Sequence, residues 1–400
     1  MRFEIVGPAV AAALFAIGCA PQDAAQDQVT LAAMALDAAA LPASPTNMYA
    51  EDPAASALGR RLFFDKRMSE DGGVACASCH DPAKGFSDPR PVSLGVSGRA
   101  GGRHSMPITA AALHPFQFWD GRADSLWSQP LKAMEGQKEM DFSRAEVAHF
   151  IDVNYRTDYE SVFGPMPDLK GLPARARPGE AAWESLPAKS LDDVQRVFAN
   201  VGKSIEAYER KLLCADTRFD QWARGEITLT AEEQSGADSF VGNGCTGCHN
   251  GPSFSDGKFH ELGIGGVAGS DLGRAAGRTL LLADPFNGAG VYSDDPVTGQ
   301  ARLSLVATET GGARAFRTAS LRGVGQRQRF GHLGDRSDIR QFITQVYRGG
   351  GGGGGGGRGG GGNGGLDPLL QGVDNDNVDA MIAFLRTLDC PVPPAELLAP

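Results

Sequence analysis

The sequence predicts an all-α chain organised in two halves, and three observations carry that prediction. No alternation of apolar and polar residues is sustained along the 400 residues, which argues against a sheet-based core. Two five-residue frames of one design, CASCH at 76–80 and CTGCH at 245–249, each follow a helix-like segment. A closing segment, VDAMIAFLRTL, sets Val378, Met381, Ile382, Leu385 and Leu388 on one helical face.

The frame C-x-x-C-H has a chemical reason. Two cysteines three apart on a tight turn reach the two vinyl groups of one porphyrin, and the adjacent histidine meets the iron from the same side. At this chain's content of Cys and His, about 0.002 such frames are expected by chance, and two are present. A structural zinc site would more often bring four thiolates or paired histidines. A redox dithiol needs no histidine directly after it. The frames therefore predict two covalent c-type haems, attached through Cys76 and Cys79 and through Cys245 and Cys248. His80 and His249 become the proximal iron ligands. Helix, haem turn, loops and closing helix form the plan of a class I cytochrome c domain, here doubled.

The elements follow in order. Residues 1–19 hold one apolar stretch, Ile5 to Ile17, too short to span a bilayer as a mature helix and suited to a signal core. The stretch ends in AIGC, which resembles the bacterial lipoprotein cleavage box and predicts a lipid on Cys19. A plain secretory signal cut nearby is the alternative. Both predict export to the periplasm, with contact to the membrane only through a lipid anchor. Residues 20–50, rich in Ala, Gln, Asp and Pro, read as a tether.

Residues 51–213 read as the first haem domain. ASALGRRLF at 56–64 is its helix before the frame, and 164–189 is a Pro-rich loop. A long helix from about 190 to 213, apolar at Val194, Val197, Phe198, Val201, Ile205, Tyr208 and Leu212, closes it. Residues 214–400 read as the second. Thr230 with Glu233 forms a capping box that opens the helix before CTGCH. A low-complexity glycine run occupies 349–365.

Two cysteines, Cys214 and Cys390, remain beyond Cys19 and the frames. In an oxidising compartment they most simply pair, with two separate buried thiols as the alternative. The net charge of −10, with no basic stripe, argues against nucleic acid as a partner.

Beyond the frames, several stretches carry a resemblance: LGRRLFFDKRMS, FWDGRA at 118–123, GCTGCHNGPSFSDGKFHELG, FRTASLRGV at 316–324, LDPLL and AFLRTL. In order and spacing, from about residue 50 to 390, the chain resembles the bacterial di-haem cytochrome c peroxidase superfamily. The resemblance implies a peroxide-reacting first haem and an electron-relaying second haem with two protein ligands. It places a tryptophan between them, matched by Trp119. It also implies a glutamate twenty residues after that tryptophan and a glutamine ten after it, here Glu139 and Gln129. O–O cleavage requires moving a proton from one peroxide oxygen to the other, which is acid–base work for such a carboxylate.

The chain departs from the family in four places. Peroxidase members keep a histidine that caps the first haem iron, and that position is Val96 here, with no histidine from 81 to 103. The first haem is thus expected to be five-coordinate, with His104 and His114 read as structural. Peroxidase members supply the second haem's sixth ligand from a methionine fourteen residues past a motif histidine, here His332. MauG-like members use a tyrosine there. Position fourteen is Val346 and Tyr347 is fifteenth, so the resemblance nominates Tyr347 with a one-residue shift. His332, water or no ligand is the alternative, while Met381 reads as core. The family's calcium site uses an asparagine where this chain has His104, a poor ligand for a hard cation. The surface tryptophan that relays electrons in MauG is Asn243 here, with Trp127, Trp183 and Trp222 as substitutes not distinguished from one another.

These departures imply a MauG-like enzyme. It would use hydrogen peroxide to reach a high-valent state, then oxidise a redox partner or a protein side chain such as Trp or Tyr. The alternatives are a peroxidase drawing electrons from a small cytochrome, and a di-haem carrier without catalysis.

Overall fold

A computed structural model describes residues 31–263, 271–348 and 377–400, without the side chains of 40 and 345–348. Helices dominate. Only one pair of strands occurs among the described residues, β1 (Phe259–His260) against β2 (Phe316–Arg317), antiparallel with Phe259 opposite Arg317.

One arrangement occurs twice. Helix α1 (Pro53–Phe64) precedes the first frame and packs on α5 (Ala188–Glu209); α2 (Ser128–Glu135), α3 (Arg144–Asn154) and α4 (Arg156–Phe163) surround them. Helix α7 (Ala231–Gly242) precedes the second frame and packs on α11 (Val378–Arg386), joined by α6 (Arg218–Ala223) and α10 (Ile339–Arg348). Each crossing is made at a glycine. A Cβ on Gly59 would collide with the Ser204 carbonyl, and one on Gly236 with the Ala380 carbonyl. Glycine therefore allows the two axes to approach closely in both halves.

Local chemistry explains the helix starts. Asp52 accepts from the amides of Ala54 and Ala55, with Pro53 in the first turn. Thr230 and Glu233 form the capping box, the Glu233 amide reaching the Thr230 hydroxyl at 3.2 Å and the Thr230 amide reaching Glu233 at 2.8 Å. The apolar stripe of α5, from Val194 to Tyr208, is fully buried. That helix ends at Glu209 rather than near 213. The chain turns there so that the Cys214 amide can donate to the Thr109 carbonyl at 2.8 Å, and Cys214 is disulfide-bonded to Cys390.

The tether reading of 20–50 needs correction from Leu31 onward. Leu31, Met34 and Leu36 are buried, the first two in the core of the second half, and the Leu36 amide donates to Asp220 at 2.9 Å. Their apolar spacing gives a short strap something to bury. The halves exchange other segments too. Phe286 and Tyr292 enter the first core, and Leu397 and Leu398 pack against it. Helices α8 (Arg274–Ala283) and α9 (Pro296–Thr308) pack together over Leu281, Leu303 and Val306. No helix among the described residues is long and apolar enough to cross a membrane. Cys19 and the glycine run lie outside the described residues.

Candidate di-haem site

The two frames each open a cavity. Cys76, Cys79 and His80 line the first, of about 410 Å³; Cys245, Cys248 and His249 line the second, of about 160 Å³. His80 Nδ1 lies 3.3 Å from the Phe86 carbonyl, and His249 Nδ1 lies 2.9 Å from the Phe254 carbonyl. A carbonyl only accepts, so each Nδ1 carries the proton and each Nε2 keeps its lone pair for a metal. Burial lowers the pKa of both imidazoles, which keeps them neutral, as iron ligation requires. Two thiols beside one such histidine, in a cavity lined by apolar and polar side chains together, fit a haem in each half.

The carbonyls are aimed by backbone strain. Phe86 and Phe254 have φ of 55° and 49°, a left-handed conformation uncommon outside glycine, and both rings are buried. The sequence signal was present as F-S-D at 86–88 and again at 254–256, one copy behind each histidine.

Trp119 lines both cavities. Its Nε1 donates to the His104 carbonyl at 2.8 Å, and its ring meets His332 edge-on with centroids 6.3 Å apart. The preceding Phe118 is also left-handed, at φ 65°, with the Arg122 guanidinium 3.5 Å above its ring. This turn holds the indole between the two sites.

Glu139 and Gln129 face the first cavity. Gln129 arrives in the first turn of α2, and Glu139 in the loop after that helix. Gly136 makes room for the Glu139 side chain, which a Cβ there would touch at 3.4 Å. Burial raises the pKa of Glu139, with the Arg122 charge opposing. The loop carrying Val96 braces the same segment, the Val96 amide donating to the Glu139 carbonyl at 2.8 Å. Val96 itself is 0% exposed and belongs to the first core, not to the cavity wall.

His104 and His114 also face the first cavity. His104 Nδ1 lies 3.1 Å from the Pro91 carbonyl, and its buried Nε2 has no partner. Its surroundings do not suit calcium. Burial keeps the ring neutral, and Asp88, the carboxylate that acts on it, is taken by Arg90 at 2.6 Å. One further acid was missed from sequence. Glu209, at the end of α5, is 5% exposed, lines the first cavity and leaves Oε2 unpartnered. Burial pushes its pKa up to about 8.

In the second cavity, His332 is stacked on Phe316 with centroids 3.8 Å apart, and Met381 is buried in the core while contributing to the wall. Ile339, Phe342 and Ile343 of α10 line it as well. Tyr347 stands in the last turn of that helix, and its side chain lies outside the described residues. Of the three other tryptophans, Trp127 is sealed in the first core beside Lys203, 5.7 Å from its ring. Trp183 is buried beneath Arg144, and Trp222 packs on Phe219 with centroids 5.5 Å apart.

Comparison with known proteins gives this geometry a family. The family model for di-haem cytochrome c peroxidase matches residues 53–228. The cytochrome-c peroxidase IdrP2 of Pseudomonas sp. (strain SCT) is 30% identical over 341 residues, covering 85% of this chain and 82% of the relative. The chain belongs to the di-haem cytochrome c peroxidase and MauG family. The methylamine utilization protein MauG of Methylorubrum extorquens is 28% identical over 302 residues, covering 74% of this chain and 70% of MauG. A solved MauG-like protein associated with microbial copper homeostasis superimposes with a TM-score of 0.62 at 25% identity, over 90% of this chain and 97% of that one. The chain is accordingly a haem-dependent oxidoreductase with two haem cofactors, and the family's members act on peroxide with a redox partner or a protein substrate.

Proposed function

We propose that this chain is a MauG-like di-haem enzyme that reacts with hydrogen peroxide in its resting oxidised state and passes the oxidising equivalents to a partner. The observation that carries the reading is Val96. Where peroxidase relatives cap the first haem with a histidine, this chain has an apolar side chain turned into the core, so this position offers no cap, which supports a His80 site open without prior reduction.

The two halves, 51–213 and 214–400, are read as cytochrome c-like haem domains, supported by the repeated helix crossing and the repeated histidine–carbonyl bond. The haem iron, when bound, supplies the electrons that cleave peroxide. Glu139 takes the proton from one peroxide oxygen and returns it to the other, which leaves as water, and Glu139 ends as it began. The Gln129 amide orients the peroxide beside it. Trp119 conducts between the sites, splitting one long electron transfer into two short ones.

Tyr347 is proposed as a second protein ligand to the haem that His249 would hold. Helix phase supports it, because position 347 follows Ile343 by one turn just as 346 follows Phe342, and both earlier residues line the second cavity. Valine offers no donor atom and tyrosine offers a phenolate, which favours ferric and higher iron states. Residues 1–19 would direct export to the periplasm, with a lipid on Cys19 as the anchor. Calcium has no place in this reading.

Peroxide titration of the diferric protein, without reductant, tests the proposal. Spectral change at both haems on stoichiometric peroxide is expected. A protein inert until half-reduced, which then turns over a reduced small cytochrome, would overturn it in favour of the peroxidase reading.

A further inference from the structure

Six arginines are buried among the described residues, and five of them sit on carboxylates: Arg144 on Glu135, Arg177 on Asp141, Arg210 on Glu51, Arg274 on Glu309 and Arg322 on Asp220. Arg317 has none. At 4% exposure its guanidinium makes only three contacts, each 3.4 Å long, to the carbonyls of Phe118 and Thr318 and to the Met106 sulfur. Ten residues on, half-buried Arg327 donates to the carbonyls of Ser320 and Arg322 at 2.6 and 2.9 Å, again with no ion pair. Its Nε is sealed without a partner.

A buried charge without a counter-ion is costly, which points to an anion from outside the polypeptide. The two guanidiniums also repel each other, and burial with that repulsion pushes Arg317 down to about 10. Asp389 faces Arg327 without pairing with it, and the ring of His114 is held neutral near both. Both arginines line the first cavity and the second. Each haem carries two carboxylates, and the buried guanidinium fork is the side chain best shaped for them.

We propose that Arg317 and Arg327 form one cationic clasp shared by the two haem sites, binding porphyrin carboxylates from both and coupling the potential of one haem to the charge of the other. The inference rests on two haem sites in the chain and not on the MauG-like reading of their chemistry. A cation beside a haem favours its reduced form, so the clasp holds both potentials up, and loss of one guanidinium lowers both. A residue serving a single haem would shift only that haem.

The test is spectroelectrochemical titration of the Arg317→Gln holoprotein, with haem content checked first by pyridine haemochrome. The expected result is two haems per chain and a downward shift of both midpoint potentials, largely restored in Arg317→Lys. A shift confined to one haem, or none at either, overturns the clasp. If Arg317→Gln does not accumulate, Arg327→Gln carries the same test with the same two outcomes. Loss of one haem from the wild-type count would instead refute the two-site reading beneath it.

Discussion

Phe86 and Phe254 share one backbone conformation and one task. Each is left-handed, at φ 55° and 49°, and each turns its carbonyl to the Nδ1 of the frame histidine before it. Neither is a glycine, although glycine would relieve the strain. The reason is packing: both rings are buried, and Phe254 contacts Phe219 with centroids 4.9 Å apart. Ring burial, worth several kcal/mol, outweighs a backbone strain of about 1–3 kcal/mol.

Phe254→Ala should therefore destabilise the protein by about 3–5 kcal/mol despite being smaller at a strained position. Denaturant unfolding of the holoprotein checks this. The His249 haem spectrum should change with it, as the carbonyl loses its aim.

Glu139→Gln should slow the reaction with peroxide by about 10²–10⁴-fold while leaving the resting spectrum unchanged. Burial raises the pKa of this carboxyl, so it loses its base form at a higher pH than an ordinary glutamate does. The wild-type rate should fall as pH falls through that raised value. Stopped-flow rates across pH should show this limb in the wild type and its absence in the variant.

Glu209 provides a pH test of stability. Its folded-state pKa of about 8 lies above the unfolded range of glutamate, near 4.3. Between those values the folded protein keeps the proton and the unfolded chain releases it. Stability from this group is complete below the window and is lost as pH rises through about 8. Glu209→Gln should remove about one proton's worth of slope from the pH dependence of unfolding in that window.

The disulfide joins residues 176 apart. Replacing Cys214 and Cys390 together by serine should cost about 2–5 kcal/mol and lower the thermal midpoint, without changing haem content. Calorimetry of the two forms under oxidising conditions measures it.

The sequence reading succeeded where the signal was local or periodic. The Thr230 cap, the buried stripe of α5 and the closing helix all follow from spacing within one turn or a few. It failed where the deciding neighbour was distant in sequence. Leu31 and Met34 looked like tether because their partners, such as Phe219, come from the second half. Glu209 looked like the polar end of a helix, and only the fold brings it to the first cavity. Arg317 looked like any arginine, since its defining property is a carboxylate it does not have. The paired F-S-D segments were readable but carried no known periodicity, and their meaning lies in a backbone angle that composition does not reveal.

The central claim is an open first site and a second site without methionine. Low-temperature EPR of the ferric protein, read together with the near-infrared charge-transfer band, tests it most directly. One high-spin and one low-spin haem, with no methionine band, is the predicted result. Two low-spin haems, one showing the methionine band, would contradict the account.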